Sequence, residues 1–245
     1  MDSWSVEPLL LTAARLSTFV AGNILTSASS FLFQRDERLF LVTSRHVLAD
    51  EPSGHFPDSV EIEFHVDSED LTKSTGFSIP LYKKEERAWR QGGDASGEID
   101  VAAIEIDRAA LPESAIYRAF TPEHLPGPDE KIETGALAFV VGFPLGFHDH
   151  VHHLPVVRQG AIASSFGLRF QGEGFFLTDA RTHRGGSGSP VVTRPTRPDG
   201  DALDPPWLLI GVHSTRFDVT RDLKLDEALG LNCAWYADIL MTLTE

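Results

Sequence analysis

A single cysteine, Cys233, stands in a chain of 245 residues. One thiol cannot form an intrachain disulfide, which rules out a small cross-linked scaffold and suits a reducing compartment; a cytoplasmic location is expected, with Cys233 a buried apolar thiol. Positive charge is also scarce. Against 36 Asp and Glu there are 21 Lys and Arg, a formal net charge of −15. That is the wrong sign for tracking a phosphate backbone or an anionic membrane surface, so neither nucleic acid nor membrane is an expected partner. Long apolar runs are missing as well. The first fourteen residues hold Asp2 and Glu7 but no Lys or Arg, and "LLLTAA" is too short for a spanning helix or the core of an export signal.

What is present is β-rich. "SFLFQ", "RLFLVTS", "SVEIEFHV", "FSIPLY", "DVAAIEI", "ALAFVVGF", "GFFLTD", "SPVVT" and "WLLIGVHS" are short, apolar and branched or aromatic, with Gly, Pro, Asp and Ser between them. This is the rhythm of an all-β sandwich or barrel. Between strands predicted at 100–106 and 136–142, "DRAALPESAIYRAFTPEHLPGPDEK" is proline-rich and poor in strand formers. It reads as a crossover between two β units, residues 1–120 and 121–245. One helix is predicted, over the C-terminal "WYADILMTLTE", where Tyr236, Ile239, Leu240 and Leu243 share a helical face. The segment 194–206 reads as the long exposed end of a hairpin.

"HRGGSGSPVV", residues 183–192, raises a chemical question, because it holds two serines one residue apart. A serine hydroxyl becomes a nucleophile only when a base takes its proton and backbone amides converge on the developing oxyanion. Glycines allow the backbone angles that such convergence needs. Ser187 follows Gly185 and Gly186 and precedes Gly188, whereas Ser189 precedes Pro190, which biases it toward an extended strand start. Ser187 is therefore the candidate nucleophile. "FLVTSRHVLAD" places His46 directly after a buried strand, and "GEIDVAAIEI" places Asp100 at the start of another.

In "TSRHV", "DVAAI" and "GGSGSPV", in this order, the chain resembles the trypsin-like serine peptidases, including the bacterial HtrA-type and glutamyl endopeptidase branches. "VVGFPLGF" followed by "VVRQGAIAS" is similar to the strand pair before their nucleophile. The resemblance implies two perpendicular six-stranded β-barrels, His46 and Asp100 coming from the first and Ser187 from the second. It implies a triad in which His46 is the base, Asp100 orients it and Ser187 attacks a protein or peptide substrate, with the amides of Gly185 and Ser187 as oxyanion hole and no cofactor or metal required. Gly186 stands where digestive relatives carry an acidic residue, so activation by a new N-terminal amine is not expected. A PDZ domain, usual in HtrA-type proteins, is not expected either.

By the same resemblance "ARTHR" and "GVHSTR" line the primary pocket, which brings Arg181, Thr182, His183, Arg184, His213, Ser214 and Arg216 near one site in an acidic chain. Thr182 and His213 match the positions that read a glutamate in glutamyl endopeptidases. A preference for Glu or Asp before the cut bond is the expectation, against arginines that merely face solvent. "HDHVHH" offers His148, His150, His152 and His153; it reads as a solvated or substrate-contacting loop beside the cleft rather than a metal site, since dense spacing does not establish convergent ligand geometry. Two alternatives stay open: a catalytically inactive or gated peptide-binding module, and an esterase using the same triad.

Overall fold

The computed structural model describes residues 6–196, 203–216 and 230–245, with 215 and 216 as backbone only. The first part of the chain contributes β1 (Ala13–Val20), β2 (Asn23–Arg35), β3 (Arg38–Thr43), the short helix α1 (Arg45–Leu48), β4 (Ser59–His65) and β5 (Ser74–Pro80). A small hairpin, β6 (Tyr82–Lys83) and β7 (Glu86–Arg87), precedes β8 (Trp89–Asp94) and β9 (Gly97–Ile106). Except for the hairpin these strands make one antiparallel sheet, ordered β5-β4-β1-β2-β3-β9-β8. The second part contributes β10 (Leu137–Gly142), β11 (Val156–Ala161), β12 (Phe175–Thr178), β13 (Pro190–Thr193), β14 (Leu208–Arg216) and β15 (Asn232–Tyr236), ordered β11-β10-β13-β14-β15-β12. Both sheets curl into half-barrels, the chymotrypsin-like double-barrel arrangement.

The all-β expectation holds, with two departures of detail. The first sheet has seven strands rather than six. β8 is "WRQGGD", whose polar residues and glycines hide it from an apolar-pattern search, and it pairs with β9 through an irregular register between Gln91 and Gly93. The predicted C-terminal helix also starts too early. Trp235 and Tyr236 belong to β15, where Trp235 pairs with Phe175 and Val212, and only Ile239–Leu243 is helical (α2). Period alone cannot separate a short apolar strand from the helix that follows it.

Three clusters form the core. One fills the first barrel around Leu16, Leu41, Val60 and Ile104, and one fills the second around Val140, Phe176, Val191 and Ile210. The third joins the halves: Phe31, Phe33, Phe40 and Val101 pack with Phe120, Val192, Leu209, Trp235 and Leu240. Each fully buried Phe or Leu contributes roughly 1.5–3 kcal/mol, so this shared core fixes how the barrels meet. The crossover has no strand between Ile106 and Leu137, as expected, and is tied down midway. There Phe120 donates to the Leu32 carbonyl (2.9 Å), accepts from the Gln34 amide (2.7 Å) and sets its ring edge-on to Phe31. α2 packs on β8 and β9 of the first sheet, where Arg35 and Arg38 donate to the carbonyls of Met241 and Thr244. Among the described residues no helix is long and apolar enough to cross a membrane.

Candidate active site

His46 is positioned by the end of β3. The strand leaves Thr43 and Ser44 buried and turns at once into α1, which aims the His46 backbone and ring the same way. Its amide donates to Asp100 Oδ1 at 2.8 Å and its Nδ1 lies 2.7 Å from Oδ2, so one carboxylate holds the residue at two points. Asp100 is the fourth residue of β9 rather than its first, because pairing with β8 extends that strand back to Gly97. The Ser214 hydroxyl donates to the same Oδ2 at 2.5 Å. Burial would raise the Asp100 carboxyl, but the His46 ring, its charge, the Ser214 hydroxyl and the His46 amide outweigh burial and hold it below the usual carboxylate range. An ionised Asp100 keeps the Nδ1 proton on its own side of the ring, leaving Nε2 as the proton-accepting nitrogen.

Ser187 sits in the turn before β13, where two glycines have left-handed backbone. Gly188 has φ +87°, and a Cβ there would lie 2.2 Å from the Ser29 carbonyl oxygen; Gly185 has φ +84°, and its Cβ would lie 2.9 Å from the Phe143 oxygen. No L side chain fits either place. The turn's carbonyls are individually held. Arg184 O accepts from the Leu145 amide (2.6 Å), Gly185 O from Ser29 Oγ (2.8 Å), Gly186 O from the Ser189 amide (3.0 Å) and Ser187 O from the Ser29 amide (3.0 Å). Because a peptide's N–H points opposite to its C=O, fixing Arg184 O and Gly186 O sets the directions of the Gly185 and Ser187 amides. The Ser187 hydroxyl donates to the Ser214 carbonyl at 2.8 Å rather than to the His46 ring. Ser214 thus touches Asp100 with its side chain and Ser187 with its backbone.

His213, the preceding residue on β14, is 2% exposed and lies beneath the turn, its ring carbon 3.3 Å from where a Gly186 Cβ would be. Its Nδ1 is buried with no hydrogen-bond partner. Burial, reinforced by repulsion from His46, pushes its pKa down to about 4. Its carbonyl accepts from the Gly188 amide (2.7 Å) and the Ser44 hydroxyl (3.2 Å). Thr182 is also buried. It donates to Asn232 Oδ1 at 2.5 Å, while Asn232 Nδ2 donates to the carbonyls of Ala180 and Thr178. Arg181 and Arg184 are exposed, His183 is half-buried, and the Arg216 side chain lies outside the described residues.

Sequence reading missed Ser29, Leu145 and Asn232. All three act from other strands or loops, and no local motif marks them. The histidines lie between β10 and β11. His148 donates from Nδ1 to the Gly146 carbonyl (2.6 Å) and meets the His150 ring edge-on; His152 pairs with Asp149 (2.7 Å), and His153 Nδ1 lies 3.0 Å from Glu63. Among the described residues no three His, Cys, Asp or Glu side chains are grouped to hold a metal ion.

The model of the trypsin-like peptidase domain family matches residues 28–197. The chain belongs to this family. The match spans all three candidate catalytic residues of this trypsin-like chain. Among solved structures it is similar to a serine endoprotease from Yersinia pestis, with 15% identity and a TM-score of 0.53. The alignment covers 96% of this chain and 62% of that one, so the trypsin-like chain spans less than two thirds of that protein's length and shares its fold. No curated protein matches.

Proposed function

We propose that the protein is a serine endopeptidase acting through His46, Asp100 and Ser187. The observation that carries this reading is the single cluster in which Asp100 holds His46 by amide and ring while Ser214 joins Asp100 to Ser187. In the reaction the Ser187 hydroxyl turns from the Ser214 carbonyl to His46 Nε2 and its oxygen attacks the peptide carbonyl carbon. His46 takes the proton, and the oxyanion is met by the Gly185 and Ser187 amides. Collapse breaks the C–N bond, and His46 gives its proton to the leaving amine. Water, activated by His46, then hydrolyses the acyl-enzyme.

For specificity we propose a preference for Glu or Asp before the cut bond. His213 supports it: a buried imidazole with an unsatisfied nitrogen behind the turn gains a hydrogen bond, and a reason to take up a proton, when a carboxylate arrives. Thr182 offers less, since its hydroxyl hydrogen is committed to Asn232. The test treats wild type and Ser187→Ala with a fluorophosphonate probe, maps the adduct by mass spectrometry and profiles cleavage of a peptide library. Labelling at Ser187 with cuts after Glu or Asp is expected. Cuts mainly after Lys, Arg or aromatic residues would sink the acidic preference. The second reading, a gated peptide-binding module, draws on the Ser187 hydroxyl facing Ser214, and absence of label while a control protease reacts would favour it.

A further inference from the structure

Ser29 is a fully buried residue of β2, in the first sheet, yet two of its hydrogen bonds end on the catalytic turn of the second and a third on the segment beside it. Its hydroxyl donates to Gly185 O (2.8 Å) and accepts from the Phe143 amide (2.9 Å). Its own amide donates to Ser187 O (3.0 Å), and its carbonyl accepts from Thr43 Oγ1 (2.9 Å). Phe143 opens the turn 144–146 whose Leu145 amide holds Arg184 O (2.6 Å). One hydroxyl therefore grips the catalytic turn twice, directly at Gly185 and through the Phe143–Leu145 segment at Arg184. The space is closed around it: a Cβ on Gly142 would fall 2.6 Å from Ser29 Oγ.

We propose that Ser29 is a positioning residue that sets the oxyanion hole from the opposite barrel; this rests on the peptidase reading above. The peptide between Arg184 and Gly185 has two available orientations. With its carbonyl turned out to Leu145, the Gly185 N–H faces the attacked carbonyl; with the peptide flipped, an oxygen faces it instead. Glycine at 185 makes that flip inexpensive, so the turn needs an outside hold. Ser29 supplies it across the barrel interface. The hole is then assembled only when the two halves are docked, which ties catalytic competence to the complete fold. The hydroxyl never touches substrate. Its effect is on the direction of the Gly185 amide, and such preorganised donors act on the transition state more than on the ground state.

The test compares Ser29→Ala with Ser30→Ala. Ser30 is equally buried on the same strand, but its hydroxyl bonds to Ala14 O (2.9 Å) within the first sheet. Fluorophosphonate phosphonylation of Ser187 is measured at saturating and sub-saturating probe, with folding checked by urea denaturation. Deleting a whole oxyanion donor costs about 100- to 1000-fold. Losing the hold on one is expected to slow the maximal labelling rate of Ser29→Ala roughly 10- to 100-fold, with the half-saturating probe concentration little changed and Ser30→Ala unaffected in rate. Should Ser29→Ala fail to fold, Ser29→Cys keeps a weak donor in the space at a small cost in volume, and a loss in maximal rate between those of wild type and a missing donor is expected. A folded Ser29 variant with wild-type kinetics, or an equal loss in Ser30→Ala, overturns the proposal. Wild type unlabelled at Ser187 instead overturns the peptidase reading itself.

Discussion

Lowering the pH from 7 to 4.5 tests whether His213 is held neutral inside the fold. In the unfolded chain it protonates near 6.5, whereas burial delays protonation in the folded protein to about 4. The folded-state pKa is depressed, and the group is a base. Above 6.5 it is neutral in both states and costs nothing; between 6.5 and 4 the unfolded chain binds the extra proton, so stability falls as pH falls. The full gap of about 2.5 units is worth roughly 3 kcal/mol, and about 2–3 kcal/mol of it is lost by pH 4.5. Asp100 does not confuse this window. Its carboxyl is held below the ordinary range, so the stability it contributes is lost only below about pH 4. Urea denaturation of wild type and His213→Gln at both pH values isolates the effect, because other groups titrate alike in the two proteins. Wild type is expected to lose about 2–3 kcal/mol more than the variant. Parallel losses would refute a neutral buried His213, and with it the argument that an arriving carboxylate would draw a proton onto the ring.

Asp100→Asn removes the charge that orients His46 and is expected to lower the labelling rate or kcat on the order of 10⁴-fold while the protein stays folded. Gly188→Ala forces a Cβ to within 2.2 Å of the Ser29 carbonyl at φ +87°, and urea unfolding should show a loss above about 2 kcal/mol. Leu240→Ala opens a hole in the core shared by the barrels and is expected to cost about 2–5 kcal/mol in the same assay. Dialysis against EDTA is expected to leave the labelling rate unchanged, since base, nucleophile and oxyanion donors are all protein groups; a drop restored by Zn²⁺ would show that the histidine loop has a metal-dependent role.

The chain's own pattern determined the β-rich class and a strand-free stretch between residues 106 and 137, and its motifs named the three residues proposed as the triad. These are local signals: alternating or continuous apolar runs, a proline-rich gap, and short motifs in which a histidine follows a strand and a serine sits among glycines. β8 and the start of α2 escaped because glycine-rich polar strands and short apolar strands carry no distinctive period of their own. Pairing with a neighbour makes them strands, and pairing is not a local property. The site divides in the same way. Ser187 was legible because its turn demands glycine on both sides, but what holds that turn was not. Ser29 lies 158 positions earlier and Leu145 lies 42 positions earlier. Thr182 was legible by motif, while the amide of Asn232 that fixes its hydroxyl comes from β15, 50 positions along the chain. Sequence records which groups are available along one chain. Only the packed barrels decide which buried donors meet which acceptors, because a hydrogen bond is made across space, and burial sets the cost of leaving it unmade.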